Sequence, residues 1–380
     1  MKAFQQHFFK GQWIDHTQSA GFDPTQCHLV LAFGSRECVS QPEVLATLKA
    51  KYPNGNIVLS STSGEILGDN VYDDSVVVTA IQFEKTEIRC VSTNISAHSS
   101  SYETGLSLMT QLETEGLASV FIISDGAHVN GSELVAGLNE NNRPHVPITG
   151  GLAGDAARFT QTLTGLNANP TEGNVIAVGF YGSDILVGHG SFGGWDEFGP
   201  ERIVTKSIKN VLYEIDGKNA LGLYKQYLGD YVSELPGSAL LFPLSLRMKG
   251  SQENLVRTIL SIDEAENSMT FAGNLPEGST VRLMKANFDK LIEGSSDAAN
   301  YSFNGIRNQK PQLAILVSCV GRKLILAERT EEELQAAKEI LGNDAFITGF
   351  YSYGEISPFN PSSKCELHNQ TMTITTFTEI

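Results

Sequence analysis

Ala118-Ser119-Val120-Phe121-Ile122-Ile123-Ser124 is a short apolar run rich in Val and Ile. It is closed by Asp125-Gly126 and followed by Ser132-Glu133-Leu134-Val135, which opens a helix with a good capping residue. A strand that leads through a tight turn into a helix is the unit of an α/β protein, and the pattern recurs outward from this point. Residues 28–34, 57–61, 75–83 and 146–151 read as further strands, and residues 41–51 and 103–115 carry apolar side chains at helical spacing. Some parallel pairing follows from that alternation, while the adjacent runs 75–83 and 86–92 read as an antiparallel hairpin.

Beyond residue 174 the chain becomes more continuously β, with strands expected at 174–181, 184–188 and 203–207 and a helix at 218–228. Further strands are expected at 239–246, 255–262, 268–272, 280–285 and 311–319, before Thr330 and Glu333 form a capping box. At 380 residues the chain is too long for one ordinary core. The expectation is mixed α/β: two closely packed domains, 1–217 and 218–380, built on mixed β-sheets flanked by helices. No repeat period is legible.

Composition excludes several classes. With 41% hydrophobic and 18% charged residues and no apolar run near the roughly 20 residues of a membrane helix, the expectation is a protein with no membrane insertion. The start, Met1-Lys2-Ala3-Phe4, lacks the apolar core of an export signal, which points to the cytoplasm. The five cysteines are odd in number, widely spread and without a C-x-x-C pair, so reduced thiols are expected. A formal charge of −16 repels a phosphate backbone and argues against nucleic acid.

Three stretches put polar groups beside glycines at the ends of apolar runs: Gly150-Gly151-Leu152-Ala153-Gly154-Asp155, Gly188-His189-Gly190-Ser191-Phe192-Gly193-Gly194-Trp195 and Gly349-Phe350-Tyr351-Ser352-Tyr353-Gly354-Glu355. They read as tight turns contributing to one binding recess. Gly188-x-Gly190-x-x-Gly193 matches a dinucleotide fingerprint by letter, but Gly194 to Pro200 cannot run as the helix that motif requires. No phosphate loop, His-Glu-x-x-His helix or Gly-x-Ser-x-Gly elbow occurs.

His189, with glycines on both sides, is the leading candidate imidazole for a ligand or metal, and His368 is the second; the alternative for each is a histidine bonded within its own turn. Trp195, Tyr351 and Tyr353 could wall an aromatic pocket or anchor packing. Arg257 and Arg322 could grip a carboxylate, while Asp155 or Glu355 could take an amine.

The chain resembles the FIST sensory family, with an N-terminal and a C-terminal FIST domain. The resemblance rests on Ser61-Thr62-Ser63-Gly64-Glu65-Ile66, Ser124-Asp125-Gly126, residues 150–155, Asp216-Gly217-Lys218-Asn219-Ala220-Leu221, Leu241-Phe242-Pro243-Leu244, Ser318-Cys319-Val320-Gly321-Arg322, residues 351–356 and His368-Asn369-Gln370-Thr371. It implies a small-ligand sensor in signal transduction and not an enzyme. Through residues 188–195 the chain is also similar to a haem-binding, nitric-oxide-sensing branch. That branch implies noncovalent haem b, His189 or His368 as axial ligand, and a separate histidine kinase or cyclic-di-GMP enzyme as partner in a two-component system, with homo-oligomers open. The second expectation is a metal-free sensor of an amino-acid-like metabolite held between the domains. The third is a hydrolase using Ser124 or Ser352 with His128 or His368.

Overall fold

Strand Ser75–Gln82 sends Val76, Val78 and Ala80 into one core and Val77 and Ile81 into another, so its near-continuous apolar text is that of a strand buried on both faces. The computed structural model describes residues 1–142, 146–235, 237–307 and 309–380. Two-sided burial recurs in Leu313–Cys319, where Leu313, Ile315 and Val317 face one core and Ala314 and Leu316 the other.

The explanation is a threefold repeat of one unit. Each unit has an outer strand, a first strand, a helix, a second strand parallel to the first, a short strand donated to another unit, and a return strand antiparallel to the first. In unit one the outer, first, second and return strands are Lys2–Phe9, Leu29–Gly34, Asn56–Ser61 and Ser75–Gln82. In unit two they are Glu87–Asn94, Leu117–Ser124, Ile148–Leu152 and Asn174–Tyr181. In unit three they are Ile185–Phe192, Leu313–Cys319, Phe346–Ser352 and Met372–Glu379.

Donation is cyclic. Glu65–Leu67 of unit one pairs with Phe346–Ser352 of unit three, Gly354–Pro358 of unit three pairs with Ile148–Leu152 of unit two, and Thr164–Leu166 of unit two pairs with Asn56–Ser61 of unit one. Three sheets of six strands result, and all three contribute to one central core that includes Phe33, Val77, Phe121, Phe180, Val317 and Phe350. Helices cover the outer faces: Pro42–Lys51 buries Val44 and Leu48, Gly131–Glu140 buries Leu134 and Leu138, and Thr330–Leu341 buries Leu334 and Ala337. Each Val or Leu side chain so buried contributes about 1.5–3 kcal/mol. The repeat leaves little trace in the sequence beyond a Gly–acid pair after each second strand, Gly64-Glu65, Gly154-Asp155 and Gly354-Glu355, because burial constrains hydrophobicity more than residue identity.

An eight-stranded antiparallel sheet, running from Trp195–Ile208 to Thr280–Ala286, is inserted between the outer strand of unit three and its helix Phe288–Ser302. It has its own core around Leu212, Leu221, Tyr224, Leu246 and Phe271. The 217/218 division falls at the turn between two paired strands of this sheet, Val211–Ile215 and Lys218–Asn219.

Several local expectations are corrected. Strands Ser75–Gln82 and Glu87–Asn94 are not a hairpin; they belong to different sheets, because each completes a different unit. The helix expected to open at Ser132 is capped by Asn130, whose Oδ1 accepts from Glu133 N at 3.1 Å. Thr330 forms no capping box, because Glu333 turns inward to Arg322. Residues 188–192 are strand rather than turn. At Glu333 and at the glycines of 188–192 a tertiary partner outcompetes the local signal, whereas Asn130 is simply a better-placed local cap.

Candidate functional site

In open α/β sheets ligands gather where parallel strands end and helices begin. The threefold arrangement supplies three such strand ends, each crossed by the segment another unit donates. At the end of Leu29–Gly34 the space is filled by charge. Asp155 is fully buried and its Oδ2 accepts from Arg36 Nη1 at 3.1 Å, Thr160 Oγ1 at 2.9 Å and Gln161 N at 3.2 Å. Its Oδ1 accepts from Arg158 Nε at 2.8 Å, and Glu37 takes the Arg158 Nη1 at 2.9 Å. Asp155 therefore has its acceptors spent internally, and a ligand amine would have to displace a guanidinium.

The end of Leu313–Cys319 is filled as well. Lys323 Nζ reaches Ser63 O at 3.0 Å and pairs with Asp73, while Gln370 packs on Gly321.

At the end of Leu117–Ser124 the space stays open. Asp125 is buried and turns the chain by accepting N–H from Ala127 at 2.9 Å, His128 at 2.6 Å and Gly173 at 2.9 Å. Beyond it lies a cleft of about 290 Å³, open to solvent on one side. One wall is residues 126–131 with Leu152, Phe159 and Tyr353; the other is Asn210, Leu260 and residues 271–273 of the inserted sheet. The two bodies meet at its base, where Asn130 Nδ2 donates to Asn274 Oδ1 at 3.1 Å and Asn274 N to Ser132 Oγ at 3.1 Å. His128 sits at the rim with about half of its side chain exposed, its Nδ1 3.4 Å from Asp125 Oδ1.

The residues singled out from the sequence are distributed as follows. Tyr353 lines the cleft and stacks on Phe159. Arg257 lies behind Gly273, buried, with its donors on the carbonyls of Asn274, Val256 and Leu367, and burial pulls its pKa down to about 10. Gly151 packs against Val317 in the central core. Glu355 is fully buried beside it in the pairing of Gly151 with Glu355, accepts from Ser352 Oγ at 2.6 Å and Thr371 Oγ1 at 3.0 Å, and burial pushes its carboxyl up to about 8.

Arg322 and Glu333 form a fully buried ion pair at 2.8 Å. Arg322 also donates to Gly193 O, Leu291 O and Ser295 Oγ, and Tyr351 OH donates to Glu333 at 2.8 Å. Arg322 and Tyr351 thus lock unit three and face no cleft. Trp195 Nε1 donates to Gln370 O at 3.0 Å, as a packing anchor would.

His189 and His368 are both buried. The glycines beside His189 do not expose it: a Cβ at Gly188 would stand 1.7 Å from Ser302 O, and one at Gly190 2.2 Å from Ala298 O, so they let helix Phe288–Ser302 sit directly on the strand. By strand alternation His189 faces inward beside its cross-strand neighbour Thr375. Burial drives its imidazole down to about 4. Unit one places Gln5 and Thr79 in the equivalent pairing, hydrogen-bonded at 3.2 Å, which makes the His189–Thr375 position a point of internal packing. His368 Nε2 lies 2.9 Å from Ser357 O, and burial, with the charge of Arg257 adding to it, pulls its pKa down to about 4.

These residues do not fit a haem. His189 Nδ1 is unpartnered, yet both imidazoles are enclosed among strands, and neither lines the cleft. The serines do not form a hydrolytic pair: Ser124 Oγ donates to Asp125 O and Ser352 Oγ to Glu355, so neither hydroxyl is bonded to an imidazole.

Sequence reasoning passed over Asn130, Phe159, Asn210, Leu260 and Gly273. Only Asn130 carried a local signal, as an Asn three residues before Glu133; the others lie far apart in the chain and meet only through the insertion.

Among the described residues, no helix is long and apolar enough to cross a membrane. The chain is 24% identical over 359 residues, 82% of its own length, to an uncharacterised protein of Methanocaldococcus jannaschii, and the match spans 66% of that relative. Residues 28–218 match the FIST N domain and residues 220–358 the FIST C domain, so this chain belongs to the FIST family, whose domains are associated with sensing small ligands in signal transduction.

Proposed function

We propose that this protein senses a small, metal-free ligand held in the cleft between unit two and the inserted sheet. One observation carries the reading: of three equivalent strand ends, the one after Ser124 is left open, and a second folded body forms its far wall. A ligand touching both walls favours the arrangement that closes them, by the difference in its affinity for the closed and open forms. A partner that reads the relative position of the two bodies, such as a histidine kinase or a cyclic-di-GMP enzyme, would receive the output.

Amino-acid-like metabolites are the first compounds to try, with the cleft's polar groups, His128 and Asn210, in place of Asp155, Glu355 and Arg322. Haem and nitric oxide gain no support from the enclosed His189 and His368. Thermal-shift titration with the twenty amino acids should raise the midpoint for at least one, since binding confined to the folded state stabilises it by mass action. Ala127→Trp, on the exposed rim, should abolish that rise without lowering the unliganded midpoint. A rise that survives Ala127→Trp would move the site elsewhere.

A further inference from the structure

The cleft already holds an aromatic ring supplied by the protein itself. Phe159 is 43% exposed, yet its ring stacks on Tyr353 with centroids 4.4 Å apart and planes 17° from parallel. Its backbone N–H donates to the Tyr353 hydroxyl at 2.9 Å. Both Phe159 and Ala156 hold left-handed backbone, at φ 53° and 50°, a conformation that residues with a side chain seldom adopt. The strap they belong to is tied down at both ends. Asp155 is fully buried under Arg36 and Arg158, and Thr162 is fully buried with its Oγ1 accepting from Gly126 N at 2.9 Å and Ala127 N at 3.2 Å. Residues 156–160, between those anchors, are exposed.

A surface ring kept in a disfavoured backbone conformation against one aromatic face shows that the open face of Tyr353 accepts a flat π-system. We infer that the cleft takes a small planar aromatic or heteroaromatic ligand, which replaces Phe159 on the face of Tyr353 and frees the strap between Ala156, held by Ser63 Oγ at 2.9 Å, and Thr160, held by Asp155. The inference rests on the cleft being the sensory site and adds both the class of ligand and the element that moves. Stacking on Tyr353 supplies the apolar part of recognition, and the half-exposed His128 and the Oδ1 of Asn210, whose Nδ2 already donates to Phe271 O, are the polar side-chain groups of the lining left to meet ring heteroatoms or a polar substituent. Because Arg158 adjoins Phe159 and bridges Asp155 to Glu37, release of the ring loosens an ion cluster on the outer surface of unit one, a place a partner can read.

Competition gives the test. In calorimetric titrations of the full chain with indole, L-tryptophan and L-leucine, Phe159→Ala should tighten binding of the two aromatic probes at least fivefold and leave L-leucine unchanged. Tyr353→Phe keeps the stacking face but removes the oxygen that holds Phe159 N–H, so trypsin should cut after Arg158 several-fold faster than in the parent. Indole should accelerate the same cut in the parent protein. Failure of both aromatic probes to bind either protein, or an equal gain for L-leucine in Phe159→Ala, overturns the inference. Aromatic binding that Phe159→Ala leaves unchanged also overturns it, while its abolition by Ala127→Trp would keep the cleft as the sensory site.

Discussion

Glu65 and Glu355 occupy equivalent positions in two of the three crossovers, each a buried carboxyl that accepts from the hydroxyl three residues earlier, Thr62 at 2.7 Å and Ser352 at 2.6 Å. Asp155 holds the third position but is met by arginines. Burial, the dominant influence on both, pushes Glu65 and Glu355 up to about 8.

That equivalence predicts a pH dependence. Each carboxyl is protonated in the folded protein below about 8 and ionised in the unfolded chain above its ordinary 4.5, so between those values the folded state binds the extra proton and stability falls as pH rises. His189 and His368, held down to about 4, act oppositely and only below 6.5. Urea unfolding should therefore show a declining stability from pH 6.5 to 8, by up to about 1.4 kcal/mol per pH unit for each carboxyl. Glu65→Gln and Glu355→Gln should each flatten the slope; a slope unchanged in both variants would contradict the assignment.

Arg322 predicts a second outcome. Its guanidinium satisfies Glu333 and the carbonyls of Gly193 and Leu291. Arg322→Met leaves a buried carboxylate unpaired and should cost about 3–5 kcal/mol in chemical denaturation. Arg322→Met combined with Glu333→Leu should recover part of that loss. Unimpaired stability in Arg322→Met would point to a free, ligand-facing arginine instead.

Close helix packing predicts a third. Gly190→Ala places a methyl group 2.2 Å from Ala298 O and should lower the melting midpoint by several degrees or prevent folding. Gly237→Ala, where a Cβ meets nothing within 4 Å, serves as the control and should be near neutral. Equal midpoints for both would mean that helix Phe288–Ser302 does not rest on the strand as described.

The enclosed imidazoles predict a fourth. Haem added to purified protein should give no absorption band that depends on His189 or His368. The measurement is a Soret spectrum of the parent, His189→Ala and His368→Ala. A band present in the parent and lost in either variant would overturn the packing account of these histidines.

Much of the secondary structure was readable from local text. The strand at residues 174–181 follows from its apolar run, and helix Pro42–Lys51 from apolar side chains at helical spacing. The glycines of residues 188–194 were misleading because the same residue that opens a turn also lets a helix press against a strand, and local sequence does not distinguish the two uses. Glu333 shows the same limit: as the fourth residue of a helix it reads as a cap, but a buried guanidinium eleven residues earlier in the chain holds it more strongly.

Composition and periodicity by themselves determined that this chain makes a mixed α/β protein, since that follows from which residues leave water and at what spacing. Tertiary structure alone decided that three units exchange strands in a cycle, that two of three equivalent strand ends are plugged by their own side chains, and that the third stays open under an inserted sheet. Those outcomes depend on contacts between residues one hundred or more positions apart, where nothing in the local sequence records which partner will arrive.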